Sequence, residues 1–355
     1  MLYALILAGG KGTRLYPLSR EENPKQFLEI INDKSFLRNT VDRILKLIPK
    51  ENIYVVTNEA YKEKIYSNLK ELPKENIFIE PSNKETATCI GLSAVKLLKK
   101  DKEAVMLVLP SDHYIDKEDE FLETVKQGVN IAERKRGLVT IGINPTRPET
   151  GYGYIEMGQR VPSAIPSYKV NRFVEKPNLE VAQDFLAKGT YLWNSGMFIW
   201  KADVFLREME KYLPKMYKAL MEIYQVAGTE AEDETIEIQY NVIDGISVDF
   251  GIMQKTRKAY VVKSEFGWDD IGSFKALSRF LKDEQGNKAQ GNTFLYSCEN
   301  CSVFGEKKLI IGFGISDLVI VDSGDVILIM DKNKDQEIKQ LVKGIKDKEG
   351  LNNYL

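Results

Sequence analysis

Short apolar runs alternate with longer helical patterns through the first 145 residues, and this alternation restricts the fold more than any other feature. The runs lie at 3–8 ("YALILA"), 53–57 ("IYVVT"), 77–80 ("IFIE"), 104–110 ("AVMLVLP") and 138–143 ("LVTIGI"). Between them, "SFLRNTVDRILKLI", "TATCIGLSAVKLLKK" and "EFLETVKQGVNIAERK" carry apolar residues at helical spacing. Strands apolar on both faces, separated by amphipathic helices, predict a parallel sheet covered on both sides. The first half therefore reads as a doubly wound α/β unit.

The rhythm then changes. "GYGYIEMG", "YKVNRFVEKP" and "SGMFIWKADVF" read as strands of a mixed sheet, with helices near 178–188, 202–211 and 214–226. "SVDFGIMQKT" predicts a further helix, "AYVVKSEF" a strand and "GSFKALSRFLK" a closing helix. The polar, glycine-bearing stretch "DEQGNKAQGN" (283–292) marks the expected domain boundary. Beyond it, short strands are broken by turns at close intervals, which fits a meander or two to three coils of a β-solenoid, followed by a final helix. The expected domains are 1–285 and 286–355.

Composition excludes several classes. The chain of 355 residues carries 50 basic against 52 acidic side chains, a formal charge of −2. A nucleic-acid binder normally shows a basic excess, so no nucleic-acid partner is expected. No run approaches the roughly 20 apolar residues of a membrane helix, and the N-terminal run, with no basic residue before it, reads as a buried strand rather than a secretory signal. Cys89, Cys298 and Cys301 make no disulfide framework. The lone Cys298-x-x-Cys301 pair would need two more ligands to hold zinc. A cytoplasmic setting is expected. His113 is the one histidine, which rules out a histidine-rich metal site.

"LAGGKGTRLYPLS" follows the first strand. It fails the dinucleotide fingerprint, because Leu15 stands where a third glycine is needed, and it fails the P-loop pattern, because Gly12 follows Lys11. What remains is a glycine-rich turn at the carboxyl edge of the sheet, where α/β ligands bind. Adjacent glycines let backbone N–H groups approach a phosphate, and Arg14 can fork onto its oxygens. A bare structural turn accounts for the glycines but not for Arg14. Lys25 in "NPKQF" is a second cation behind the stiff Pro24, or else a solvated surface lysine.

Asp112 ends the strand in "LVLPSDH", as a magnesium ligand or as a turn or cap aspartate. Asp269 and Asp270 in "FGWDDIG" offer a distant second acidic pair. "RFVEKP" sets Glu175 beside Lys176 at a strand end, a carboxylate for hydroxyls and an ammonium for phosphate. "WNSGMFIW" adds Asn194, whose amide both donates and accepts, and Gly196 for close approach.

The ordered set "LILAGGKGTRLYPLS", "NPKQFL", "LPSDH", "TRPETGYGYIE", "FVEKP", "WNSGMF" and "WDDIGSF" resembles the sugar-nucleotidyltransferase family, and within it the bacterial mannose-1-phosphate guanylyltransferases. The resemblance spans residues 1 to about 282, and the tail is similar to the short left-handed β-helix of that family. It implies a Rossmann-like mixed sheet of nucleotidyltransferase type. It places Leu7, Ala8, Gly9 and Gly10 under the nucleotide, with Lys11, Gly12 and Thr13 in the same loop. Arg14 and Lys25 would hold the triphosphate, and Asp112 and Asp270 would bind Mg²⁺. Lys176 would meet the phosphate of the sugar phosphate, while Gly151, Glu175 and Asn194 line the sugar pocket. The chain departs from the family at "EPSNKETATC", where Glu85 and Thr88 replace the usual Asn-Thr-Ala-Pro.

The implied reaction joins GTP and mannose 1-phosphate into GDP-mannose and pyrophosphate, in a homodimer with no membrane partner. The same scaffold with another nucleotide or hexose 1-phosphate is the alternative; an inactive nucleotide-sugar-binding regulator is a second. Glu80 bears on the base. It ends its strand just before Pro81, which disfavours helix at Glu80. Guanine presents two neighbouring donors, and a carboxylate accepts from both. Related enzymes for uracil and thymine resemble this chain but have glutamine near this point. The competing reading is a strand-end glutamate that faces solvent or caps the next helix.

Overall fold

The computed structural model describes residues 1–10 and 12–355, with Glu284 described by its backbone alone. Its contacts divide the chain into two units. One comprises residues 1–9, 41–111 and 115–268; the other comprises residues 10–40, 112–114 and 269–355.

The strands up to residue 264 are β1 (Leu2–Leu7), β2 (Ile53–Asn58), β3 (Ile77–Glu80), β4 (Val105–Pro110), the two-residue β5 (Tyr114–Ile115), β6 (Leu138–Ile143), β7 (Tyr154–Val161), β8 (Ser167–Val174), β9 (Tyr191–Lys201) and β10 (Ala259–Ser264). All but β5 join one nine-stranded sheet in the order β3-β2-β1-β4-β9-β6-β10-β8-β7. β1 runs parallel to β2 and β4, and β3 parallel to β2, whereas β9 is antiparallel to β4 and β6. The sheet is therefore mixed, and its apolar strands lie where the sequence pattern sets them. The register pairs Leu7 with Val56 and with Pro110, and Asn58 with Glu80, so β1 to β4 end together. That carboxyl edge is where open α/β sheets hold ligands.

Helices Glu85–Lys100, Ala202–Tyr212 and Pro214–Val226 bury Ile90, Leu97, Phe205, Met209 and Leu220 in one core with Leu5, Met106 and Trp200 of the sheet. Several elements differ from expectation. "GSFKALSRFLK" forms only the four-residue helix Phe274–Leu277 and a 3₁₀ turn, Ser278–Phe280. "SVDFGIMQKT" forms only a five-residue π turn, Asp249–Met253. Its extra residue per turn sends Ile252 and Met253 into the core while Asp249 faces Asn194. Helix Glu232–Val242 carries little periodic signal, since only Ile236 and Tyr240 are buried while Ile238 and Val242 are exposed.

The second unit begins, in chain order, with the glycine-rich loop and ends with the β-rich tail. After the two-residue β11 (Trp268–Asp269) come β12 (Lys282–Glu284), β13 (Asn287–Gln290), β14 (Thr293–Tyr296), β15 (Ser302–Phe304), β16 (Ile310–Phe313), β17 (Leu318–Asp322) and β18 (Ile327–Asp331). β13, β15 and β17 stack in parallel in one sheet, and β14 pairs in parallel with β16 in another. The chain alternates between the two sheets, so it coils as a short solenoid, and Ala289, Val303 and Ile320 form a ladder inside. "DEQGNKAQGN", the stretch expected to mark the domain boundary, contains the β12–β13 hairpin, turned at Gln285 and Gly286 with φ of 55° and 85°.

A second core in this unit has no local counterpart in the sequence. Leu15, Tyr16, Leu28 and Phe36 pack with Ile271, Phe274 and Leu277 and with Phe304, Val319, Val321 and Ile338. Asp335, also buried, accepts from the backbone N–H groups of Phe274 and Lys275 at 3.0 Å each, capping the helix Phe274–Leu277. Arg20 donates to Asp325 at 2.8 Å and to Ser323 at 3.0 Å. Among the described residues no helix is long and apolar enough to cross a membrane.

Candidate active site

The predicted site residues fall into two groups, one in each unit. In the unit of residues 10–40, 112–114 and 269–355, the glycine-rich turn runs into a 3₁₀ turn at Thr13–Leu15. Lys11 lies outside the described residues. Gly12 has φ of 59°, and a Cβ there would stand 2.7 Å from both Cβ and N of Lys25, so only glycine fits. Ser19 donates to the Gly12 carbonyl at 2.6 Å, and the Gln26 amide donates to the Gly10 carbonyl at 3.1 Å. The loop is thus tied down by the segment that follows it. Arg14, by contrast, is exposed.

Lys25 is not a surface lysine: it is 5% exposed. Its ammonium lies 3.0 Å from a carboxylate oxygen of Asp112 and donates to the backbone carbonyl of Asp270. Burial by itself would raise the Asp112 carboxyl. The Lys25 ammonium, with a smaller contribution from His113, outweighs burial and holds the group below the usual carboxylate range. Asp270 accepts from the Gly272 N–H at 3.1 Å. Its neighbour Asp269 pairs instead with Arg279 and accepts from the Ile271 N–H, a structural use. Lys25 therefore ties the Asp112 carboxylate to the backbone of Asp270, whose own carboxylate turns to the Gly272 N–H. Two carboxylates suit a hard cation that keeps water and takes substrate phosphates as its other ligands, rather than a closed protein cage.

In the other unit, Leu7, Ala8 and Gly9 leave β1 beside β2. The Ala8 N–H donates to Val56, Thr57 donates to the Ala8 carbonyl at 3.1 Å, and the Asn58 amide reaches the Gly9 carbonyl at 3.5 Å. Glu80 neither faces solvent nor caps a helix. It is buried, it accepts from the Tyr240 hydroxyl at 2.9 Å, and its other oxygen lies 4.0 Å from where a Cβ on Gly9 would stand. Burial pushes its carboxyl up to about 7, against hydrogen bonds from Tyr240 and Cys89 that favour the charge. Pro81 is exposed. Thr88 turns its hydroxyl onto the Lys84 carbonyl of its own helix, and Glu85 is exposed.

The sugar-pocket set also lies in this unit. β8 ends at Val174, and Lys176 adopts φ of 47°, a strained position for a side chain of that size. The turn folds its ammonium back to 2.8 Å from Glu175. The other Glu175 oxygen has no hydrogen-bond partner among the described residues although the side chain is 8% exposed, and it crowds the position of any Cβ on Gly153. The Gly153 carbonyl accepts from the Asn194 N–H at 2.8 Å. The Asn194 side chain accepts from Thr140 at 3.0 Å and from the Gly196 N–H at 3.2 Å, and donates to Asp249 at 3.0 Å. Gly151 donates to Glu149, which also holds Arg147 at 3.1 Å. Arg147 lies over the Trp193 ring, and Tyr152 packs edge-on against Trp193 and Trp268.

Sequence reasoning missed Asp249, Tyr240 and Cys89. Burial first, then the nearby Glu175 charge, lifts the Asp249 carboxyl to about 7, with Lys176 opposing. The only local signal was an aspartate inside an otherwise apolar helix pattern. Tyr240 gave none, because its contact with Glu80 spans 160 positions, and Cys89, nine positions after Glu80, reads as an ordinary apolar residue of its helix.

The glycine-rich loop, the buried lysine and the two aspartates lie in one unit, and the mixed sheet with its buried glutamate lies in the other. Residues 3–286 match the nucleotidyl transferase family, and the chain belongs to it. Residues 291–345 match the MannoseP isomerase/GMP-like β-helix domain. The chain is 40% identical over 353 residues to a mannose-1-phosphate guanylyltransferase of Salmonella montevideo, covering 98% of this chain and 74% of that one. It is 37% identical over 353 residues to the mannose-1-phosphate guanylyltransferase of Escherichia coli strain K12, covering 97% and 73%. A crystal structure from Thermus thermophilus, described as a mannose-1-phosphate geranyltransferase, superposes with a TM-score of 0.87 at 31% identity, covering 97% of this chain and 99% of that one. Nucleotidyltransferases of this type generally use a divalent metal.

Proposed function

We propose that the protein transfers GMP from GTP to mannose 1-phosphate, releasing pyrophosphate and forming GDP-mannose. The observation that carries this reading is the likeness to mannose-1-phosphate guanylyltransferases across 98% of the chain. A phosphate oxygen of the sugar phosphate attacks the α-phosphorus in line, and the bond to pyrophosphate breaks. The attacking phosphate is already ionised, so no general base is required, and the lack of a catalytic histidine suits that chemistry.

Two polyanions must meet, so the protein's task is neutralisation and alignment. Gly10, Gly12, Thr13 and Arg14 take the triphosphate, and Lys25 orders Asp112 and Asp270 as the ligands of Mg²⁺. When bound, Mg²⁺ supplies charge that accumulates poorly on side chains alone. Leu7 to Gly9 lie under the nucleoside, Glu80 reads guanine, and Pro81 directs the chain past it. Lys176 takes the phosphate of the sugar phosphate, while Gly151, Glu175 and Asn194 hold the hexose. Residues 1–285 carry the catalysis, and residues 286–355 form a β-helix-like domain that does no chemistry itself. The solvent-facing ladder of Phe294, Tyr296 and Phe313 supports a homodimer, which light scattering checks.

The test is pyrophosphate release from purified protein with four nucleoside triphosphates and three hexose 1-phosphates, with and without Mg²⁺. GTP with mannose 1-phosphate should give the highest kcat/KM, and a higher value for any other pair would replace this reading. Lys176→Ala should raise KM mainly for the sugar phosphate, and Arg14→Ala should act on GTP. Equal effects of both variants on one substrate would break the division.

A further inference from the structure

Asp249 has no part in the assignments above, and no motif pointed to it. It opens a π turn, a distortion that recurs at functional sites because it re-aims one side chain without breaking a helix. Here the turn brings one carboxylate oxygen to 3.0 Å from the Asn194 amide. The Asn194 carbonyl oxygen is already taken by Thr140 and the Gly196 N–H, so its amide cannot flip and must present its donor to Asp249. Beside them stands Glu175, whose second oxygen is buried without a partner among the described residues. A buried carboxylate oxygen left unmatched is costly, and it marks a place where a donor on a ligand is missing. Lys176 is the cation facing this cluster, and Glu175 is the second acid.

We propose that Asp249 is a specificity-determining residue that accepts a hydrogen bond from one ring hydroxyl of the hexose, with Asn194 fixing its orientation and Glu175 serving a neighbouring hydroxyl. This rests on the sugar-phosphate reading of the same cleft. A carboxylate pair suits vicinal hydroxyls, since each hydroxyl donates one proton and the ring presents them side by side. A site built to pair a hydroxyl also rejects an analogue that lacks it far more strongly than an apolar pocket could.

The experiment compares mannose 1-phosphate with its 2-, 3-, 4- and 6-deoxy analogues at saturating GTP, in the wild type and in Asp249→Asn and Asp249→Glu, with melting curves to verify folding. In the wild type, one analogue should raise KM by about 10-fold or more, and in Asp249→Asn that penalty should shrink to within about threefold while the KM for GTP stays within about twofold. A purely structural role would instead raise KM for every sugar alike. The wild type offers a readout that needs no variant. The carboxyl, at about 7, accepts better when ionised, so the deoxy penalty should grow as pH rises through 7. The ratio of intact to deoxy substrate cancels the titration of their shared phosphate. An unchanged deoxy pattern in a folded Asp249→Asn, or a penalty flat across that pH range, overturns the proposal. No pyrophosphate release by the wild type with any hexose 1-phosphate would instead overturn the functional reading beneath it.

Discussion

The two units use carboxylates in opposite ways. In the sheet unit, Glu80 is buried and Asp249 half-buried, each with a hydrogen-bond donor as partner; desolvation lifts both to about 7, with the Glu175 charge adding to it at Asp249. In the loop and solenoid unit, Asp112 is only half-buried, and Lys25 at 3.0 Å holds it in the charged form. The same chemical group is poised near neutrality in one place and locked as an anion in the other. The difference follows from one neighbour. Asp249 stays near neutrality although Lys176 opposes the shift, because desolvation and Glu175 outweigh it, whereas an ammonium in direct contact keeps Asp112 charged.

The largest effect should come from the acids assigned to Mg²⁺. Asp270→Asn should lower kcat by about 10³-fold with the melting temperature nearly unchanged, since lost charge in this site acts mainly on the transition state. Near-normal turnover at saturating Mg²⁺ would remove Asp270 from the metal role.

Phe304→Ala probes how the loop is supported. Phe304 is buried against Phe274 with ring centroids 5.3 Å apart, in the core that also holds Leu15 and Tyr16. Its removal should cost about 3–5 kcal/mol, typical of a large aromatic truncation. The loss should appear as faster proteolysis and hydrogen exchange in residues 10–40, while β1 to β4 keep their protection. Equal loss in both units would mean that they unfold together.

The smallest effect, and the one with two signs, is Glu80→Gln. For GTP, kcat/KM should fall by roughly 1–3 kcal/mol, the cost of a poorly matched charged hydrogen bond, and discrimination against UTP and dTTP should relax. Stability should move the other way. The unfolded carboxyl ionises near 4.5 and the folded one near 7, so the native protein holds a proton that the unfolded chain has released. Stability from this group is therefore full below about pH 4.5 and declines as pH rises through 7. At pH 8 the variant should melt higher, by up to about 3 kcal/mol in stability, and at pH 4 it should match the wild type. A variant no more stable at pH 8 would mean that Glu80 is solvated.

The sheet unit was legible because its signals are local. Each of β1, β2, β3, β4 and β6 is a short apolar run whose neighbours in sequence already identify it, and all five lie within a residue or so of where the pattern sets them. The solenoid was legible as short strands and turns, though the choice between a meander and coils needed the pairing of β13 with β15 and β17. What could not be read were contacts across long separations. Lys25 reads as a surface lysine until Asp112 and Asp270 close over it, and Tyr240 is an ordinary helix residue until it meets Glu80, 160 positions earlier. The π turn at Asp249 was illegible for a related reason. The partner of its first residue is Asn194, 55 positions away, and no propensity in "SVDFG" encodes that contact.

The packing of Leu15 and Tyr16 on Phe304, Val319 and Ile338 has a consequence for how the chain is made. A ribosome adding roughly 5–20 residues per second needs about 15–60 s to pass from Leu15 to Phe304. The glycine-rich turn, among the first stretches to emerge, must wait for that interval before its apolar neighbours exist. The strands of the sheet can pair as they appear, but the loop is left with Leu15, Tyr16 and Phe36 uncovered. A segment among the earliest made is thus among the last to be finished.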